Sequence, residues 1–240
     1  MTIKSIWLRR IHKWIGLAIG VQFLIWAMSG TAMALLDMDE VAGGAMAEQA
    51  PAAVPSAGAA WPRIQWDLAG QLVSNLMIRD LPSGSIYAVT VNGDVRLFDA
   101  ASGAPVIIDR SLAQAIAVAA HGKASATRVQ SLSELSLAVR DHTLPIWKVD
   151  FSDAAKSSYY VSASTGEVLE RRNETWRWWD FFWMLHNMDY AQRTSFNHPL
   201  IITVGIAMAW LAVTGFWLLF RTMWRHDFSG VRRFVSRSKA

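Results

Sequence analysis

Six histidines are the strongest candidates for chemistry in this chain, because its 240 residues include no cysteine. Without thiols, disulfide frameworks, zinc–thiolate sites, iron–sulfur clusters and cysteine nucleophiles are excluded. What remains is imidazole, carboxylate and hydroxyl chemistry, or that of a bound cofactor. His12 precedes a long apolar run. His186 follows an aromatic stretch of Trp176, Trp178, Trp179, Phe181, Phe182 and Trp183, and His198 directly precedes Pro199 at the head of a second apolar run. His226 lies beyond that run, and His121 and His142 fall in the middle of the chain. Imidazole is the commonest axial ligand of a b-type haem, and a low-spin electron-transfer centre takes two of them on opposite faces of the porphyrin. If one helix continued through both His186 and His198, they would point about 120° apart and lie ~18 Å distant. They would not sandwich one ring. Asn187 and Asp189 stand beside His186 as groups able to orient its ring. The competing reading of His12 and His186 is a place in the headgroup zone, since aromatic runs also form interfacial belts.

Other chemistries find less support. Asp37, Asp39 and Glu40 cluster after the first apolar run, where they would attract a cation or simply sit solvated at a helix exit. Serine, histidine and aspartate all occur, but no nucleophile elbow does. No glycine-rich phosphate loop or dinucleotide fingerprint follows a strand, which speaks against nucleotide binding.

The elements that must position these side chains begin with two spans. Of all residues, 52% are hydrophobic. The chain carries no charge from Trp14 to Leu36, nor from Pro199 to Phe220. Each stretch, at ~1.5 Å per residue, covers a hydrocarbon core of ~30 Å. The net charge of +4 is the balance of strongly basic ends and an acidic middle. Lys4, Arg9, Arg10 and Lys13 precede the first span, and a basic tail from Arg221 follows the second, so both termini are expected in the cytoplasm. A nucleic-acid partner would need basic charge spread over a folded face, which is missing. The alternative for the first span is a signal peptide cut after Ala32-Met33-Ala34, although its apolar run exceeds the ~7–15 residues usual for such segments. Gly16 with Gly20, and Gly205 with Ala209, repeat a small-residue spacing that suits close helix packing, a dimer seam or room for a flat cofactor.

Between the spans the expected layout is a linker over 37–60, rich in Ala, Gly and Pro from residue 42, then a folded domain over 61–175 and an aromatic interfacial segment over 176–198. Residues 1–13 and 221–240 form the basic cytoplasmic ends. Apolar spacing predicts a helix from Trp66 to Met77, a hairpin from Ile86 to Phe98 turning at Asn92-Gly93, and a helix from Leu112 to Ala120. It also predicts a helical stretch from Leu132 to Val139 and strands at Ile146–Phe151 and Tyr159–Ala163. Gly103 and Gly166 close equivalent turns, which suggests a duplicated helix-then-hairpin unit of α+β type.

Three segments carry a family resemblance. The run from Leu144 to Phe151 with that from Tyr159 to Leu169 resembles the closing hairpin of the PepSY domain. Arg10-Ile11-His12-Lys13-Trp14-Ile15-Gly16 resembles the entry to the first membrane helix of the PepSY-associated transmembrane family, and the segment from Trp183 to Tyr190 resembles the approach to its next one. The resemblance implies a membrane α+β fold: two transmembrane helices, N-in and C-in, flanking an extracytoplasmic PepSY-like domain of helices on antiparallel hairpins in a bacterial inner membrane. Some larger relatives look like haem-containing reductases of ferric iron or ferric siderophores, but have four or more membrane helices. By that analogy the expected cofactor is haem b, with His12, His186 and His198 as binding residues and the first two as iron ligands. The expected partners are membrane lipid, a second copy or a larger complex, and ferric iron or a ferric siderophore. The rival expectations are a tethered, non-enzymatic PepSY module and an accessory subunit of an iron-uptake complex.

Overall fold

A computed structural model describes the backbone of residues 3–44, 60–191, 193 and 197–237, and the side chains of all these except 3–5 and 222–237. The chain divides into two compact units, one of residues 1–35 with 180–240 and the other of residues 36–179.

In the first unit, helix α1 (Ile3–Leu35) packs against helix α6 (Pro199–Arg237), with the Leu211 side chain 3.8 Å from where a β-carbon on Gly16 would sit. Gly20 and Gly205, also expected at a seam, have no neighbour within 4 Å of that position. Ile6–Leu35 and Pro199–Arg221 are long and apolar enough to cross a membrane. Their large apolar side chains, among them Leu17, Val21, Met28, Ile206 and Phe216, are exposed over most of both helices. A soluble core helix would bury such residues, whereas a lipid-facing helix leaves them outside. Helix α5 (Glu174–Asn187) carries the chain from the second unit into the first and holds the aromatic run.

The second unit is α+β, built twice from one plan. Helix α3 (Trp61–Asp67) precedes an antiparallel meander of β1 (Val73–Leu81), β2 (Gly84–Val91) and β3 (Asp94–Asp99). Helix α4 (Arg110–His121) precedes a second meander of β4 (Ala126–Ser131), β5 (Ile146–Phe151), β6 (Ser158–Ser162) and β7 (Val168–Arg172). A bridge from Phe98 to Pro105 supplies the start of a fourth strand in the first copy, matching the Val161–Val168 pair of the second. The turns agree bond for bond. Gly103 N–H donates to Asp99 O and Gly166 N–H to Ser162 O, with φ of 72° and 71° at the two glycines.

Burial explains the layering. β2 is covered on both sides: Tyr87, Val89 and Val91 pack with Ile64 of α3 and Leu68 just after it, while Ile86 and Ala88 join the core made with Ile116 and Ala117 of α4 and with Val149, Phe151 and Val161 of the second sheet. A third cluster joins Ile146 and Tyr160 to Ala138 and Val139, which form a short 3₁₀ turn (Leu137–Val139).

Two sequence expectations are overturned here. The helix predicted from Trp66 to Met77 ends at Asp67; Gly70 turns the chain at φ 79°, and Val73 onward is a strand. The helix predicted from Leu132 to Val139 shrinks to the 3₁₀ turn, and β4 precedes it. The Asn92-Gly93 hairpin, the helix around Leu112–Ala120 and the Ile146 strand form as expected. Near the first span, Met38–Val41 makes a short helix, α2, whose N-terminus is capped by the Asp37 carboxylate accepting from the amides of Asp39 and Glu40. Residues 45–59 of the expected linker lie outside the described residues.

Candidate functional site

The histidines of the first unit occupy two levels of α1. His12, on α1, places Nδ1 2.7 Å from the Thr214 hydroxyl of α6. His186, on α5, places Nδ1 3.2 Å from the Ser29 hydroxyl of α1. Both imidazoles are half-buried. Each lies near an indole: His12 is 6.2 Å from the Trp210 ring and His186 is 6.3 Å from that of Trp26, centroid to centroid.

The hydroxyl of each pair has a second partner in its own helix. A hydroxyl has one proton, and Thr214 donates it to the Trp210 carbonyl at 2.8 Å. Ser29 likewise donates to the Ile25 carbonyl at 2.6 Å. Each oxygen thus lies between a helix carbonyl and an imidazole Nδ1, and holds that ring nitrogen in place. A histidine anchored through one ring nitrogen can present the other to a metal. Thus Ser29, from the opposite helix, meets the ring that Asn187 and Asp189 were expected to orient.

Glycines admit the rings. A β-carbon on Gly30 would lie 3.2 Å from His186 Cε1, tighter than ordinary contact, and one on Gly215 would lie 3.5 Å from His12 Cε1. A hydroxyl residue followed by glycine, shortly after a tryptophan, therefore occurs at both levels: Trp26, Ser29 and Gly30, then Trp210, Thr214 and Gly215. Sequence reasoning missed both, although a Ser-Gly or Thr-Gly pair inside an apolar span was the available signal.

His198 differs. Its Nε2 lies 2.8 Å from the Asn187 carbonyl, to which it donates, so this nitrogen is spent on tying the start of α6 to the end of α5. No single helix runs through His186 and His198, because α5 ends at Asn187 and α6 begins at Pro199. In the same unit, Arg193 pairs with the mostly buried Asp180 at 2.6 Å. The His226 side chain lies outside the described residues.

The histidines of the second unit are engaged on both or one side. His121 accepts from the Ala124 amide at Nδ1 and faces Asp153 from Nε2 at 3.3 Å. It borders a cleft of about 440 Å³ lined also by Glu40, Lys123, Asp153, Tyr159 and Asn173. Burial acts to raise the Asp153 pKa, but the Ser157 hydroxyl and amide, with His121, outweigh it and hold the carboxyl below its ordinary value. Burial pushes the Tyr159 hydroxyl up despite nearby Arg171. His142 Nε2 meets Glu170 at 3.0 Å. Among the described residues, no three His, Asp or Glu side chains converge on a metal-sized site.

Compared with known proteins, residues 9–240 match the model of one family, described as the PepSY-associated TM region. No curated protein and no solved structure matches the chain.

Proposed function

The chain belongs to the PepSY-associated transmembrane family, and from that premise we propose that it is a haem-linked redox protein of the bacterial inner membrane, with His12 and His186 as iron ligands. The observation that carries this reading is the pair of half-buried imidazoles, each with Nδ1 at hydrogen-bond distance from a hydroxyl of another helix. Imidazole is a usual axial ligand of a b-type haem, and each of the two levels offers one. When bound, haem b supplies reversible one-electron chemistry at its iron.

The rest falls to the chain's own residues. Thr214 and Ser29 hydrogen-bond the Nδ1 atoms and so set the ring planes, and Gly30 gives the His186 ring room to approach α1. Lipid-facing apolar side chains along both spans keep water from the two levels. Ser29 lies seventeen residues beyond His12 on α1, or about 25 Å at ~1.5 Å per residue. The two imidazoles therefore serve separate irons. The basic ends support a topology with His12 at the cytoplasmic level and His186 at the outer one. In this reading, electrons from a cytoplasmic or membrane donor reach an extracytoplasmic acceptor, with ferric iron or a ferric siderophore as the substrate class.

The test is the reduced-minus-oxidised visible spectrum of membranes holding the full chain. A b-type α band is expected, diminished by His12→Ala and by His186→Ala and unchanged by His121→Ala. The haem-to-chain ratio then tells whether the second ligand at each level comes from another chain. Protein free of haem after haem-replete expression, with both substitutions silent in a ferric-reduction assay, would leave a tethered PepSY module as the better account.

A further inference from the structure

Strand β1 is an edge with an apolar character that a solitary domain would avoid. Among the described residues it pairs only with β2, so its outer side has no neighbour. Leu76, Met77 and Ile78 are 43%, 49% and 48% exposed, on both faces of the strand. Native edges are usually protected by proline, lysine or an inward-pointing charge. Residues 75–78 have none of these.

The sequence of this edge is complementary to itself. In an antiparallel pairing of two β1 strands centred on Met77, Leu76 of each copy faces Ile78 of the other, Asn75 faces Arg79, and Met77 faces Met77. Apolar meets apolar, polar meets polar, and no like charges are opposed. Moving the centre to Ile78 would set Leu76 against Asp80 and Met77 against Arg79. Hydrogen bonding agrees with the Met77 centre. Leu81 and Gly84 form the pair that closes the two-residue turn Pro82-Ser83. Counting back from that hydrogen-bonded pair, the alternation along the ladder points the N–H and C=O groups of Leu76 and Ile78 away from β2. Those are the residues that would exchange bonds across the new seam.

We propose that β1 is the docking edge for a second copy of this chain, which joins the two three-stranded sheets into one six-stranded sheet with Met77 on the two-fold axis. Anchoring in a membrane favours the pairing, because copies confined to one plane meet at high effective concentration. The inference is independent of any haem.

Because the chain has no cysteine, one introduced thiol reports alone. Met77→Cys in the full-length protein, in membranes at a low protein-to-lipid ratio, should form a disulfide-linked dimer under mild oxidation. Facing residues of a non-hydrogen-bonded pair have Cα atoms ~4.5 Å apart, within disulfide reach. Asn75→Cys alone should not cross-link, since its own copy is displaced along the strand. Leu76→Lys with Ile78→Lys should abolish the Met77→Cys dimer, and Leu76→Lys with Ile78→Glu should restore it, because position 76 faces position 78 of the other copy. Equal cross-linking at Asn75 and Met77, or no dimer from a Met77→Cys thiol that a maleimide labels fully, would overturn the proposal. So would protection of that thiol by lipid or by a different protein.

Discussion

Ser29 and Thr214 do the same task from opposite helices, and their removal should be felt alike. Ser29→Ala or Thr214→Val leaves an imidazole Nδ1 without its hydroxyl partner in an apolar surrounding, at a cost of about 0.6–1.7 kcal/mol. Thermal unfolding in detergent micelles should fall by a few degrees for each, and by less than the sum of two independent losses only if the levels are coupled. Glycine substitutions separate the levels. Gly30→Ala must push against the His186 ring, whereas Gly215→Ala meets ordinary contact with His12. Nitrogen-15 imidazole spectra should therefore move for His186 in the first variant and stay nearly fixed for His12 in the second. In the other unit, Asp153 governs the acid limb of stability. Its folded pKa lies below the ordinary carboxylate value, because hydrogen bonds from Ser157 and His121 outweigh burial. Its stabilisation is thus complete above the unfolded value of ~3.9 and is lost as pH falls through the lower folded value. Asp153→Asn should lower the unfolding midpoint at pH 7 and flatten its decline below pH ~4.

Helix α4 illustrates an element whose limits are written locally. Asp109 accepts from the Leu112 amide at 2.8 Å, and Gly122 ends the helix at φ 75°. Asp109→Ala should cost about 1 kcal/mol, measurable as a shift in the denaturant midpoint. Because such caps and the apolar spacing between them lie within a dozen residues, α4 was legible in the sequence. So was the β2–β3 hairpin, where Asn92 and Gly93 supply the two positive φ values that a tight turn demands. β1 was misread for an equally physical reason. Trp66, Leu68, Leu72, Val73 and Leu76 fit a helical period, yet as an edge β1 buries neither face along most of its length, so no alternation betrayed it. β4 was missed because only Val129 among its residues is buried. At the site, the histidines themselves were legible from their place at the ends of apolar runs. Their hydroxyl partners were not, since those depend on which helix faces which.

For the whole molecule, the two spans set the topology. A reporter fused at Ala240 should read cytoplasmic and one inserted near Gly103 external, as the basic flanks require; an external C-terminus would contradict the hairpin of spans. The middle unit enters and leaves at one place. Asn173 donates to the Glu40 carbonyl at 2.6 Å, Thr175 to the Glu40 carboxylate at 3.1 Å, and Arg171 to the Gly44 carbonyl at 2.6 Å. Gly43 admits no side chain there, for a β-carbon would stand 2.8 Å from the Arg171 carbonyl oxygen. A domain fastened at its own doorway is a closed loop in the mechanical sense. During synthesis that loop cannot shut until Arg171–Thr175 has emerged, so the segment around α2 waits for nearly the whole domain to be made. Once shut, it carries a pull between its two ends through the fastening, leaving the sheets unloaded.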